Sequence, residues 1–148
     1  MPRMQHEIEI AAAPEAVFDY VSTPGRWPEW HPSSLRLESG AERPLAAGAR
    51  FEEDIHAGGR KAHLSWIVRE SQRPSLWIAE AVGDNGVTLR LEYRLEVRAY
   101  GGTRFMRTLD YSLPNLLLRT NNALLGQRRI ARESEESLRR LRDVMAAA

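Results

Sequence analysis

The chain has no cysteine, which excludes a disulfide framework, a thiolate zinc site and a cysteine nucleophile, and leaves stability to packing alone. It also lacks an excess of either charge. Lys and Arg number 21 against 20 Asp and Glu, a net charge of +1, so the bulk electrostatic argument for binding nucleic acid is missing and any partner must be recognised locally. No run approaches the ~18 apolar residues of a membrane helix, and the opening MPRMQHEIEI has no uninterrupted apolar stretch of the signal-peptide kind. With the missing cysteine, this predicts a cytoplasmic protein without a membrane span. HExxH, GxSxG, P-loop and GxGxxG patterns are all absent, so hydrolase, nucleotide and dinucleotide chemistries have no support, and neither metal nor cofactor is expected. What remains is a chain of 148 residues, 43% hydrophobic and 28% charged. That is too apolar for disorder and the right size for one globular domain over 1–148. Nothing in the sequence specifies an oligomeric state.

Met4, His6, Ile8 and Ile10 alternate with Gln5, Glu7 and Glu9, the period of a strand with one wet face. Ala13-Pro14-Glu15 then opens a short helix on which Val17, Phe18 and Val21 share a face, ending near Thr23-Pro24-Gly25. Arg26 to Pro32 combines two tryptophans with two prolines, which predicts a packed turn. From Ser34 to Tyr111 strand follows strand, separated by Ser39-Gly40, Gly58-Gly59, Arg73-Pro74, Asp84-Asn85-Gly86 and Gly101-Gly102, the pattern of an antiparallel meander. Its clearest strand places Val87, Leu89, Leu91, Tyr93, Leu95 and Val97 on a dry face. After Leu113-Pro114 the period becomes 3.6, with Ala123, Gln127, Ile130, Ala131, Ser134, Leu138, Leu141 and Met145 forming one seam and charged residues the rest. No helix of similar length exists to pair with it, so the seam must lie on the sheet. The fold class is α+β.

This order of elements resembles the START-like superfamily, in particular its polyketide cyclase/dehydrase and lipid-transport group. The resemblance spans the whole chain. It is carried by Ile8 to Phe18 (IEIAAAPEAVF), Trp27-Pro28-Glu29-Trp30, Gly101-Gly102-Thr103-Arg104, and the terminal helix ending Leu138-Arg139-Arg140-Leu141. It implies a helix-grip fold, a curved antiparallel sheet wrapped around the long C-terminal helix with two short helices after the first strand. It also implies a cavity for a hydrophobic small molecule, which some members transform and others only carry.

A two-residue turn at Gly58-Gly59 pairs Ile55 with Ala62, Glu53 with Leu64 and Phe51 with Trp66, the register in which apolar residues meet. Glu53 is then the odd residue on the dry face. Two readings stand: a buried carboxylate for ligand contact or proton transfer, or a side chain near a sheet edge that reaches water. In the last strand either parity can face inward. The apolar count favours Phe105, Leu109 and Tyr111, which places Arg107 among them, free to pair with Glu53 or with a ligand oxygen. The other parity leaves Arg107 solvated. Trp66 and Tyr93 face inward and suit a ligand carrying a ring, although ordinary core packing explains them as well. On the helix, Ala123, Gln127, Ala131 and Ser134 are small or polar and Leu138, Leu141 and Met145 bulky, so the N-terminal half leaves space and the C-terminal half seals the base. His56 and His63 fall on wet strand faces and read as surface residues.

The leading expectation is a module that binds a hydrophobic or aromatic small molecule, lipid-like or polyketide-like, through Phe51, Trp66, Tyr93, Tyr111 and Gln127. A cyclase/dehydrase-type enzyme is the alternative, with Glu53 as general acid or base and Arg107 polarising a ketone. A third reading is a protein-interaction module that uses the open sheet face or the tryptophan turn and takes no ligand.

Overall fold

The computed structural model describes residues 3–37, 40–57, 60–112 and 122–147, the side chains of 57, 60, 122–127 and 147 excepted. Strand β1 (Arg3–Ile10) alternates exposed and covered residues and ends on a fully buried Ile10. Helix α1 (Pro14–Val21) has its proline in the first turn, where a missing N–H has no partner to lose, and buries Val17, Phe18 and Val21. A 3₁₀ helix over Pro24–Glu29 follows, and Pro28 inside it bars a longer α-helix. Trp27 and Trp30 are both buried, and Trp27 Nε1 donates to the Val21 carbonyl at 2.9 Å. The broken aromatic stretch is thus a packed turn.

Six further strands, β2 (Ser34–Leu37), β3 (Arg50–Ala57), β4 (Arg60–Gln72), β5 (Leu76–Gly83), β6 (Thr88–Val97) and β7 (Thr103–Ser112), join β1 in one antiparallel sheet. The order is β1-β7-β6-β5-β4-β3-β2, so each strand of the meander lies beside its predecessor and β1 closes against the last. The sheet curls into a half-barrel. Glu53 pairs with Leu64, Phe51 with Trp66 and Ile55 with Ala62, the expected register; the Gly58-Gly59 turn itself lies outside the described residues. In β7 the residues Phe105, Arg107, Leu109 and Tyr111 face inward and their neighbours are half-covered, which settles the parity. Val97 departs from expectation. It is 70% exposed because it stands on the last rung of the β6–β7 ladder, where the sheet ends and no described element covers it.

The β6–β7 hairpin turns at Gly101, whose φ of +88° few side chains adopt. Beside it Gly102 lies so close to the Ile10 carbonyl that a Cβ would sit 2.8 Å from the oxygen, besides meeting the Tyr100 ring. The outward face of the sheet carries ion pairs, among them Arg3 with Asp110, Arg104 with Glu7 and Glu96, Arg98 with Glu9, and Arg69 with Glu80.

The terminal helix α2 (Asn122–Ala147) packs chiefly on β1 and also touches β3. Leu138, Leu141 and Met145 join the core, with Ser134 and Ser137 buried on the same side. Ser137 lies outside the seam that the periodicity predicts. Its hydroxyl folds back on the Glu133 carbonyl at 2.7 Å, which lets a polar residue lie against the interior. Glu136 binds Arg139 and Arg140 on the wet face. No helix among the described residues is long and apolar enough to cross a membrane.

Candidate functional site

The inward face of the sheet is an aromatic layer. Trp27, delivered by the 3₁₀ helix, meets Phe51, Trp66 and Trp77 edge-on at 5.4, 5.5 and 5.9 Å. Phe51 and Trp66 are stacked at 5.7 Å, as their cross-strand pairing dictates, and Trp77 stacks on Tyr93 at 5.5 Å. The ring faces of Phe51 and Trp66 are therefore occupied largely by other rings. Tyr93 also touches Trp30 and Phe105.

Two charged side chains break this layer. Glu53 is only 4% exposed. Ser34 Oγ donates to its Oε2 at 2.6 Å and Trp66 Nε1 to its Oε1 at 3.0 Å. Burial pushes its carboxyl up to about 7, against the opposing pull of those two donors and of the Arg107 charge. The short edge strand β2 does not let Glu53 out to water; it brings Ser34 in to bind it. Arg107 is 6% exposed, and burial lowers its proton affinity from the usual guanidinium value. Its Nη1 donates to Ser134 Oγ of α2 at 2.7 Å.

The sequence left open a direct bond between Glu53 and Arg107, and the structure corrects this. They share the inward face and feel each other's charge, but each is held by hydroxyl or indole groups instead. Arg107 stands directly across from Tyr93 on β6. The guanidinium and the Tyr93 oxygen lie within hydrogen-bonding reach and interact electrostatically, yet neither the Tyr93 hydroxyl nor Arg107 Nε has a well-aligned partner among the described residues. The Tyr111 hydroxyl and Trp30 Nε1 are likewise buried without a partner, and burial raises the proton affinity of both tyrosines.

Two histidines complete the surroundings. His31 is buried, tilted against Trp30 at 4.6 Å, with Nδ1 at 3.2 Å from Ser137 Oγ and 3.4 Å from Ser33 Oγ. Burial, and after it the Arg107 charge, hold its affinity for a second proton well below normal, so it is a neutral imidazole. His6 Nδ1 lies 3.0 Å from Ser134 Oγ and its Nε2 3.5 Å from Glu135. Ser134 Oγ accepts from Arg107 Nη1, and the direction of its contact with His6 Nδ1 follows the imidazole tautomer. Arg107, Ser134, His6 and Glu135 thus form a polar path from the interior to the helix surface.

Phe51, Glu53, Trp66, Tyr93, Arg107 and Tyr111 consequently all lie on the inward face; the Gln127 side chain lies outside the described residues. His31, Ser34, Ser134 and Ser137 are additions. Ser134 was legible on the helix seam, but nothing in the periodicity of an irregular turn or a four-residue edge strand marked His31 or Ser34. His56 is exposed, as expected. His63 sits on the outer face between Asp54 at 2.7 Å and Glu52 at 2.9 Å, and these carboxylates raise its affinity to about 9. A groove of about 610 Å³ between Arg3, Glu80, Thr88, Arg90 and Asp110 opens on the outward face, where these charges already pair with one another or with neighbours. No group of His, Asp or Glu among the described residues is arranged to hold a metal.

The family model described as polyketide cyclase/dehydrase and lipid transport matches residues 1–146. The chain belongs to that family. Solved structures of the same fold include a START superfamily protein from Mycobacterium smegmatis, 16% identical with a TM-score of 0.75 over 98% of this chain and 97% of that one. A Thermus thermophilus protein is 20% identical with a TM-score of 0.76, covering 99% and 98%. One from Rhodobacter sphaeroides is 22% identical with a TM-score of 0.70, covering 98% and 92%. At these identities the likeness is one of fold. No curated protein matches the chain significantly. In this family member the helix-grip architecture places the aromatic layer, Glu53 and Arg107 on the side of the sheet that faces α2.

Proposed function

We propose that this protein binds a hydrophobic or aromatic small molecule, lipid-like or polyketide-like, between the inward face of the sheet and α2. The observation that carries the reading is that four of the five buried polar tips without aligned partners among the described residues belong to this inward layer: the Tyr93 and Tyr111 hydroxyls, Arg107 Nε and Trp30 Nε1, the fifth being the Ser22 hydroxyl. A core built for stability alone avoids such groups, because each costs about 1–3 kcal/mol. A site for a largely apolar ligand with a few oxygens needs them. Phe51 and Trp66 then act as the apolar wall, Tyr93, Tyr111 and Arg107 as the orienting contacts, and Gln127 as a contact from the helix. The missing cysteines support a reducing, cytoplasmic setting.

A second reading is favoured by one further observation. Glu53, poised at about 7, can give or take a proton at neutral pH while Arg107 polarises a ketone oxygen on the same face, which is the requirement of a cyclase or dehydrase. The test starts with mass spectrometry of small molecules extracted from the native protein and titration with the neutral fluorophore N-phenyl-1-naphthylamine. Co-extracted apolar molecules and saturable fluorescence support the binding reading. If both fail, that reading falls and the interaction-module reading replaces it. Turnover of an aromatic-forming β-ketone chain that vanishes in Glu53→Gln, with fluorophore binding retained, selects the enzyme.

A further inference from the structure

We infer that the ligand carries an acidic oxygen group, a carboxylate or comparable monoanion on an apolar body, and that Arg107 with the Tyr93 hydroxyl receives it. This deepens the binding reading above and rests on it. The argument is one of charge and of unused donors. Arg107 is buried, and its neighbours among the described residues are neutral hydroxyls: Nη1 donates to Ser134 Oγ, and the Tyr93 oxygen lies close enough to raise its proton affinity. No carboxylate touches it among the described residues: the carboxyl it shares the interior with, Glu53, is engaged by Ser34 and Trp66. The other titratable neighbours whose proton affinity its charge depresses, His31 and Tyr93, are neutral. The inward face therefore holds a cation that no carboxylate contacts among the described residues, with only the half-neutralised Glu53 at a distance, a placement that is unfavourable unless something supplies more charge.

The geometry says where. Arg107 and Tyr93 are direct cross-strand partners on adjacent strands, so their side chains leave the same face side by side. Arg107 Nε and the Tyr93 O–H are both buried donors with no well-aligned acceptor among the described residues, and the Tyr93 oxygen, which faces the guanidinium, leaves its own proton free to donate. Two adjacent donors, one of them charged, fit the two oxygens of a carboxylate, whereas a ketone or alcohol oxygen can accept from both but leaves the cation uncompensated. Around them Trp30, Phe105 and Trp77 supply an apolar surround.

Two probes with the same rings separate the alternatives: 8-anilinonaphthalene-1-sulfonate, an anion, and N-phenyl-1-naphthylamine, which is neutral. The wild-type protein is expected to bind the anion about ten-fold or more tightly than the neutral probe. The preference should survive about 0.5 M NaCl, because a buried contact is little screened. In Arg107→Met the ratio of the two affinities is expected to fall to about one, whatever happens to the absolute affinities, and in Arg107→Lys part of the preference remains. Equal affinities in the wild type, or a preference that salt abolishes, overturn the inference without touching the binding reading. Failure of both probes to bind removes the binding reading and this inference with it. The wild-type comparison decides even if a variant does not fold.

Discussion

Replacing Glu53 by Gln isolates the energetic consequence of burying a carboxyl group. Its pKa moves from 4.5 to about 7 on folding, chiefly by desolvation. Between those two values the unfolded chain has lost the proton and the folded protein keeps it, so stability falls as pH rises through this window and is level on either side. At about 1.4 kcal/mol per pH unit the total is about 3 kcal/mol. Gln preserves the local contacts, because its carbonyl accepts from Trp66 Nε1 and its amide donates to Ser34 Oγ once that hydroxyl rotates. Urea unfolding of both proteins, at a series of pH values across the window, then reads the difference directly. His31 has the opposite sign, since its depressed proton affinity lends stability that is lost as pH falls below 6.5, but it is present in both proteins and drops out of the subtraction. Glu53→Gln is expected to gain about 3 kcal/mol on the wild type between pH 4.5 and about 7. A difference that stays constant across the window refutes the claim that Glu53 is desolvated.

His63→Gln tests the outer face: the charged imidazole between Asp54 and Glu52 stabilises the fold below pH 6.5, and that contribution is lost as pH passes about 9. The variant should melt lower than wild type in mild acid, with the gap closing in alkali; a pH-independent gap sinks the assignment. Ser134→Ala strips Arg107 Nη1 and His6 Nδ1 of their shared partner and should lower unfolding free energy by about 1–3 kcal/mol; no loss would show that the hydroxyl is not needed there. Gly102→Ala drives a Cβ to 2.8 Å from the Ile10 carbonyl and should cost about 1–3 kcal/mol in the same assay, against none if the hairpin can shift.

Strand periodicity made much of this legible. A two-residue turn plus alternation determined the β3–β4 register, because a slip by one residue would have turned Phe51, Ile55, Leu64 and Trp66 out to water. That register also singled out Glu53. The β7 parity followed from apolar count, since Phe105, Leu109 and Tyr111 outweigh Met106, Thr108 and Asp110. What escaped lies where the chain has no period. His31 leaves a 3₁₀ turn, and only the tertiary path of that turn over the sheet buries it against Trp30 and Ser137. Ser34 belongs to a strand of four residues with a register shift beside it, too short to show which face its hydroxyl takes. Ser137 reads as polar by type and becomes an inward residue only by satisfying its hydroxyl on its own helix.

The Arg107 position turns these contacts into a stability argument. A purely structural guanidinium would have its donors occupied, and its removal would leave partners stranded and the fold weaker by several kcal/mol. Arg107 instead leaves Nε without an aligned acceptor among the described residues, and Ser134, to which Nη1 donates, retains bonding to His6 when the arginine is gone. Methionine fills similar volume without charge. Arg107→Met should therefore raise the unfolding free energy by about 1 kcal/mol or more, read as a higher urea midpoint with an unchanged denaturant slope, while destroying the preference for an anionic ligand. Removing the cation also removes its pull on Glu53, so the stability loss of that variant with rising pH should extend above pH 7. A destabilised Arg107→Met with no change in ligand preference would show that the guanidinium serves packing between β7 and α2, and the anion-receiving role would fall.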